Sequence, residues 1–307
     1  MAKMDFLKLY LGGNYSACKN ILEGTEVQGT KNIHSNLDEI VMEYLYQNNG
    51  ALCQAMIEQS GDREKWSEIL NRFMKLHSNY RSLSVIPLDL ELNVIYNTLW
   101  WFLTRPSSLR YKTLHVQSVL DSVSRCLTKV LKSCQVSVLG QELCSHDSGR
   151  LITLLKQASD LLLKLSAVAC IQLLSVVTLT VHVLLRQQEA ESLRECMPVL
   201  RKAIEQLELV RLHVLRETKR GNEETYFKFG LTQANSTASL NNCGDTINAF
   251  VITGSIVCAV NGEIEEAMDC LKQFTEEGNC FPFIYNYLKA YCCLHSQHYA
   301  EAKLCLA

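Results

Sequence analysis

The sequence is poor in residues that interrupt helices, with only 4 prolines and 14 glycines among its 307 residues. Such sparse breakers favour long helices over many short strands. Convincing runs of alternating apolar and polar residues, which would indicate strands, do not occur. Hydrophobic residues make up 48% of the chain and charged residues 20%, a balance that supports a packed core. We therefore predict an all-α fold.

An excess of charge of either sign is also missing. The formal net charge is −2 and the sequence pI is about 6.5. A protein that binds a phosphate backbone needs a stripe of basic side chains, and the sequence has no long stripe of this kind. We therefore expect no sequence-independent binding to nucleic acid, and no direct sequence-specific binding.

The 14 cysteines lack the CxxC pairs of a metal or redox site. They are scattered through apolar helical stretches, as at Cys126, Cys170, Cys258 and Cys270. The N-terminal residues lack the long apolar run of a signal peptide. These features predict reduced thiols that pack as small hydrophobes in a cytosolic or nuclear protein.

One apolar run, from Leu165 to Leu185, contains no Asp, Glu, Lys or Arg and could just span a bilayer core. Polar side chains are spread along the whole run, however, and the apolar pattern continues upstream of it. We interpret the run as a helix buried on most sides within a helical protein. A small helical enzyme or a membrane-anchored protein remains as an alternative.

Sequence motifs of catalysis are missing as well. There is no glycine-rich nucleotide loop, no HExxH and no GxSxG. Ser16 and Lys19 have the SxxK spacing of a serine nucleophile beside its base, but the companion elements SDN and KTG are absent. We predict no catalytic residue, no cofactor and no enzymatic activity.

Cys292, Cys293, His295 and His298 form the one cluster of cysteine and histidine. Zinc needs four ligands that converge on a tetrahedron. Neighbouring residues of a helix point about 100° apart, which prevents the two cysteines from converging easily. We therefore predict two core thiols and two surface imidazoles, and no metal.

Two stretches near the C-terminus align with each other at an offset of 35 residues. The aligned pairs match small with small and apolar with apolar residues: Ser255 with Ala290, Cys258 with Cys293, Gly262 with Gln297, Ile264 with Tyr299, Ala267 with Ala302, and Leu271 with Leu306. A period near 34 with these features is typical of a tetratricopeptide repeat. Small residues let the two helices of a hairpin approach closely, and hairpins of this kind stack side by side.

The repeat predicts a helical-hairpin solenoid, with tetratricopeptide-like repeats at its C-terminal end. A weaker third copy involves Gly13, Tyr15, Cys18 and Leu22. The alternative is a pair of ordinary amphipathic hairpins. We predict three regions: a helical N-terminal region at 1–220, a polar loop or linker at 221–245, and the repeats at 246–307. Because the second repeat stops within its second helix, we expect either a longer array or a partner that covers this end.

The repeat register also predicts which side chains face a binding groove. These groove positions are Ile252 and Ile256 in the first repeat, and Tyr287, Tyr291 and His295 in the second. Aromatic residues in such a groove suit the capture of a peptide or helix, although packing against further repeats is an equal alternative. Trp100 and Trp101 cannot face the same way on one helix, and we predict Trp101 as a further candidate partner contact.

Two stretches resemble the family of the Fanconi anaemia group G protein. VIPLDLELNVIYNTLWWFL, from Val85 to Leu103, is similar to a segment of that family with a Val-x-Pro-Leu-Glu-Leu opening and an apolar helix. NAFVITGSIVCAVNGEIEEAMDCL, from Asn248 to Leu271, looks like that family's first well-marked repeat. The resemblance is convincing over about fifty residues, and the chain has about two clear repeats where the family has several.

The resemblance implies a non-enzymatic adaptor in the nucleus, with a cytoplasmic pool. It implies a role in the Fanconi anaemia core complex, a ubiquitin ligase that responds to DNA interstrand crosslinks. The expected partners are other core-complex subunits, the group A subunit first. The alternative is another cytosolic tetratricopeptide adaptor, acting in trafficking or assembly.

Overall fold

The computed structural model describes residues 9, 14–21, 37–58, 63–79, 86–104, 113–134, 148–187, 190–218, 243–274 and 282–306. All regular secondary structure in these ranges is helical, which confirms the predicted all-α class. Beyond a short helical stretch at 15–21, the helices are α1 (Leu37–Ile57), α2 (Arg63–Asn79), α3 (Leu88–Leu103), α4 (Thr113–Ser133), α5 (Ser148–Ser159), a 3₁₀ turn (Leu162–Lys164), α6 (Ala167–Gln187), α7 (Ala190–Glu205), α8 (Leu207–Thr218), α9 (Cys243–Val260), α10 (Ile264–Leu271), α11 (Pro282–His295) and α12 (Tyr299–Leu306).

The described residues form two compact units, one up to Ser122 and the other from Val123 onward. Helix α4 contributes to both units. The predicted linker lies mostly outside the described residues, and its last three positions begin α9, which starts at Cys243. The predicted division into three regions stays a prediction.

In the first unit, α1, α2 and α3 pack pairwise against one another. Helix α3 follows Pro87, whose extended backbone (φ −57°, ψ 140°) sets the chain up for the first helical turn. Asp89 and Glu91 lie in that first turn, where the positive end of the helix dipole favours carboxylates. The largest fully buried side chains of this unit are Tyr44, Leu52, Ile69, Leu70, Phe73, Leu90, Leu92, Ile95, Leu99 and Phe102.

Buried polar pairs fix how these three helices meet. The side-chain amide of Asn97 on α3 donates to the side-chain oxygen Oδ1 of Asn48 on α1 (3.0 Å). The Thr98 hydroxyl donates to the Val94 backbone carbonyl (2.7 Å) and lies 3.0 Å from His77 Nε2 on α2. Because that hydroxyl has only one proton, His77 Nε2 is the donor of the second bond. In another packing register each of these buried polar groups would lose its hydrogen-bond partner. The bonds therefore favour one packing of α3 against α1 and α2.

In the second unit, α9 packs against α6, α7 and α10. The Thr253 hydroxyl on α9 donates to the Ala249 carbonyl (2.8 Å) and accepts a bond from His182 Nε2 on α6 (3.0 Å). At Gly254, a Cβ atom would come within 2.6 Å of Ile204 Cδ1 on α7. The missing side chain therefore lets α7 and α9 approach closely.

Helix α6 contains most of the apolar run from Leu165 to Leu185. Among the described residues, none of the helices combines the length and apolar character that crossing a membrane requires.

The last four helices form two hairpins that turn in the same way. The first hairpin is α9 and α10, and the second hairpin is α11 and α12. Each turn has one residue in the left-handed region, Gly262 (φ 83°) in the first and Gln297 (φ 63°) in the second. Each closes with the same long backbone bond, from Glu263 N–H to the Cys258 carbonyl (2.9 Å) and from His298 N–H to the Cys293 carbonyl (2.7 Å). These two turns lie 35 residues apart and have the bond pattern of a Schellman motif.

This left-handed backbone predicts opposite effects of substitution at the two turn positions, Gly262 and Gln297. Gly262→Ala should lower the free energy of unfolding by about 1 kcal/mol, because a Cβ disfavours a positive φ even where space is open. Gln297→Gly should raise it by a few tenths to about 1 kcal/mol by removing that cost. The measurement is urea unfolding followed by circular dichroism.

Gly50 is the matched control, since it lies inside α1 and a Cβ there also meets no atom within 4 Å. Gly50→Ala should stabilise the protein by about 0.5–1 kcal/mol because alanine is the better helix former. Stabilisation by Gly262→Ala as well would contradict the turn geometry.

Candidate protein-binding surface

Small residues lie where the two helices of each hairpin cross. In the first hairpin, Ala267 is fully buried and its backbone carbonyl accepts a bond from the buried Ser255 hydroxyl (3.0 Å). The second hairpin has Ala290 and Ala302 at the equivalent positions, and both are buried. Small side chains are thus buried at the equivalent positions of both hairpins.

A glutamate at the same position in both hairpins has two different partners. Glu266 on α10 pairs with Arg201 on α7, outside the hairpin. Glu301 on α12 pairs with Lys289 on α11 (3.3 Å), and this bond raises the pKa of the lysine. The ion pair of the first hairpin thus connects it to α7, whereas the ion pair of the second hairpin connects its own two helices.

The two hairpins pack against each other through α11. A buried cluster joins Ile252 and Leu271 of the first hairpin to Leu288 of the second. Around this cluster pack the partly buried side chains of Ile256, Met268, Phe274 and Tyr285. The rings of Phe274 and Tyr285 stack with centroids 4.4 Å apart.

This packing corrects the prediction for the first repeat. Ile252 is only 5% exposed, and Ile256 packs against the same cluster. Both were predicted to face an open groove, but α11 covers them. They therefore join the hairpins and do not offer a free binding surface.

The groove positions predicted in the second repeat remain accessible. Tyr287 is 56% exposed, Tyr291 is partly buried and His295 is exposed. The ring of Tyr291 lies 4.4 Å from that of His295. Phe283, which the sequence reasoning missed, is 79% exposed and stacks on Tyr287 (6.5 Å). Its signal was present in the sequence, because residues 283, 287, 291 and 295 recur every four positions along one side of α11.

Trp101 lies in the core of the first unit and not at the surface. Its side chain is 6% exposed, and its indole N–H donates to the Trp66 carbonyl on α2 (3.1 Å). The Trp66 indole donates in return to the Trp101 carbonyl (3.2 Å). The prediction of Trp101 as a partner contact is therefore corrected, and Trp100 is the more exposed of the two.

The cysteine and histidine cluster divides between the core and the surface. Cys292 and Cys293 are buried, whereas His295 and His298 are exposed. Burial raises the pKa of Cys292 to about 11 and also raises that of Cys293, so both thiols stay protonated near neutral pH. In the part of the chain that the structure describes, no group of three or more Cys, His, Asp or Glu side chains could hold a metal ion.

Two further predicted features lie near the N-terminus. Of the weak third repeat, Cys18 is fully buried and Tyr15 partly buried, while Gly13 and Leu22 lie outside the described residues. Ser16, of the SxxK match, is exposed on this short helical stretch.

Leu306 differs in exposure from Leu271, its counterpart in the other hairpin. Leu271 is buried beneath α11, but Leu306 is 61% exposed.

Comparison of the chain with protein-family models, curated proteins and solved structures finds no match.

Proposed function

We propose that this protein is a non-catalytic scaffold whose two C-terminal hairpins are tetratricopeptide-like repeats that bind other proteins. The observation that carries the proposal is the stripe of Phe283, Tyr287, Tyr291 and His295 along α11, in which Tyr291 is partly buried and the other three side chains are exposed. Exposed aromatic side chains in a row supply large, rigid contact area, and they are enriched at protein interfaces.

The repeat interpretation is supported by the two equivalent turns, 35 residues apart, and by the small residues at both crossings. It is further supported by the way in which α11 stacks on the first hairpin, since a repeat of this kind must bury its open face against a neighbour.

The more specific proposal is a subunit of the Fanconi anaemia core complex, similar to its group G protein. It is supported by the two sequence stretches that resemble that family. The first forms α3 with its Pro87 start, and the second forms most of the first hairpin. On this proposal the protein acts in the nucleus in the repair of DNA interstrand crosslinks, with the group A subunit as its first partner.

Affinity purification of the tagged chain, followed by mass spectrometry, tests this assignment. We expect other core-complex subunits to be enriched, and enriched more strongly after treatment of the cells with a DNA crosslinking agent. The matched variant is Tyr287→Asp combined with Tyr291→Asp, which places charge on the aromatic stripe without touching the buried cluster.

That variant should lose the partners that contact the stripe while remaining as soluble and helical as the wild type. Recovery of trafficking or assembly proteins in place of the core subunits would reject the Fanconi assignment and favour the other adaptor. Equal recovery of every partner by the variant would reject the aromatic stripe as the binding site.

A further inference from the structure

The face of the first hairpin that α11 covers has an exposed counterpart on the second hairpin. Helix α11 rests on Ile252, Met268 and Leu271. The residues 35 positions later are Tyr287, Lys303 and Leu306. Tyr287 is 56% exposed, Leu306 is 61% exposed, and Lys303 is exposed as well. The surface that binds a helix in the first hairpin is therefore open to solvent in the second.

A shallow, mainly apolar depression adjoins the exposed counterpart. It is lined by Leu294, Tyr299, Ala302, Lys303 and Leu306, so it shares Lys303 and Leu306 with that surface. On α12, residues 299, 303 and 306 share one side of the helix because they are spaced by four and three positions. We call this surface, made of Tyr287, Leu294, Tyr299, Lys303 and Leu306, the open face.

We propose that the open face binds one amphipathic α-helix of a partner protein, in the same way as the first hairpin binds α11. The proposal rests on the scaffold role above and specifies the partner that this end of the hairpin pair accepts. Its basis is an interface already present in the molecule, in which an equivalent two-helix surface holds a helix through Leu288 and Tyr285.

The internal interface also indicates the chemistry of the partner helix. A leucine corresponding to Leu288, with an aromatic residue three positions before it, would cover Leu306 and Tyr287. The main change between the two surfaces is Lys303, which stands where the first hairpin has Met268. The acidic residue near it on α12, Glu301, pairs with Lys289 (3.3 Å). The partner helix should therefore carry a carboxylate that meets Lys303.

The same lysine argues against a second copy of this chain as the occupant. A two-fold pairing would place the same patch on both sides of the interface. Both copies of Lys303 would then be covered by an open face that contains no carboxylate, which costs free energy without a compensating anion.

The test uses a synthetic peptide of about 16 residues on an alanine-rich helical background. It carries an aromatic residue, a leucine three positions later, a second leucine four positions after that, and a glutamate on the same face. We expect fluorescence polarisation to show saturable binding to the purified full chain. Leu306→Asp should weaken that binding at least about tenfold, the effect expected when an interface loses a central apolar anchor. Leu209→Asp is the matched control, because Leu209 is also exposed (53%) but lies on α8, and it should leave binding unchanged.

A charge reversal then isolates Lys303. Lys303→Glu should weaken binding of the peptide that carries the glutamate. Replacing that glutamate by lysine in the peptide should restore most of the binding to this variant. Absence of saturable binding, or equal weakening by Leu306→Asp and Leu209→Asp, would overturn the proposal. So would a dimer in sedimentation velocity that Leu306→Asp dissociates, because the occupant would then be a second copy. Since these measurements use only the purified chain and a peptide, their failure is distinct from a failure to recover Fanconi subunits from cells.

Discussion

Ala267→Glu is expected to unfold the first hairpin and to expose the amides of α9 and α10 to solvent. Ala267 is fully buried at the helix crossing, and its carbonyl already accepts the Ser255 hydroxyl. A glutamate there must either bury its carboxylate or push the two helices apart. The expected loss is on the order of 4 kcal/mol, a large part of the total stability of a typical domain. Hydrogen exchange of α9 and α10 at neutral pH measures the effect locally.

Ala300→Glu is the matched control, because Ala300 is exposed in the first turn of α12. A carboxylate near a helix N-terminus is neutral or favourable, so this variant should stay within about 0.5 kcal/mol of the wild type. Protection of the hairpin amides in Ala267→Glu equal to that in the wild type would show that the crossing is not packed as described.

The pH dependence of the Ala267→Glu variant separates charge from size. Burial would raise the pKa of the new carboxyl above its unfolded value of about 4.3. The folded state then holds its proton more tightly, so stability is fully present below about pH 4.3 and is lost as the pH rises through the folded pKa. The free energy of unfolding of Ala267→Glu should therefore fall further below that of Ala267→Gln as the pH rises from 4 to 7. A purely steric effect would give the same difference at both pH values.

Trp101→Ala is the second large expected effect, with a loss of about 3–5 kcal/mol in the stability of the first unit. The side chain is 6% exposed, and its removal leaves a cavity between α2 and α3. It also removes the donor to the Trp66 carbonyl, half of a reciprocal pair of indole bonds. Urea unfolding followed by far-ultraviolet circular dichroism measures the loss.

Two other substitutions divide that loss into its causes. Trp101→Phe keeps most of the ring volume but lacks the indole donor, so it should cost about 1–2 kcal/mol. Trp100→Ala removes the neighbouring, more exposed ring and should cost less than Trp101→Ala by at least about 2 kcal/mol. Equal losses at positions 100 and 101 would contradict the burial of Trp101.

The helices and the turns of the last two hairpins were accessible to sequence reasoning because they depend on short-range patterns. Gly262 and Gln297 align at an offset of 35, and both have a positive φ in the structure. The small residues predicted at the crossings, Ala267 and Ala302, are both buried.

The exposure of individual side chains was much harder to predict. Ile252 and Tyr287 occupy equivalent positions, yet Ile252 is covered by α11 and Tyr287 is exposed. Likewise, the sequence shows that Trp100 and Trp101 face different ways, but only the position of Trp66 on α2 shows which of them is buried. In both cases the deciding neighbour lies on another helix, outside the reach of periodicity along one segment.

By itself, the sequence determined that the chain is helical and where the two C-terminal hairpins turn, because helix periodicity, helix breakers and the tolerance of glycine for a positive φ act over a few residues. Only the tertiary structure decided which of two similar faces is buried and which is open. Two hairpins with matching residues have the same local preferences, but just one of them has a described helix packed over its Leu271 position, so the identical leucine of the other is left in solvent.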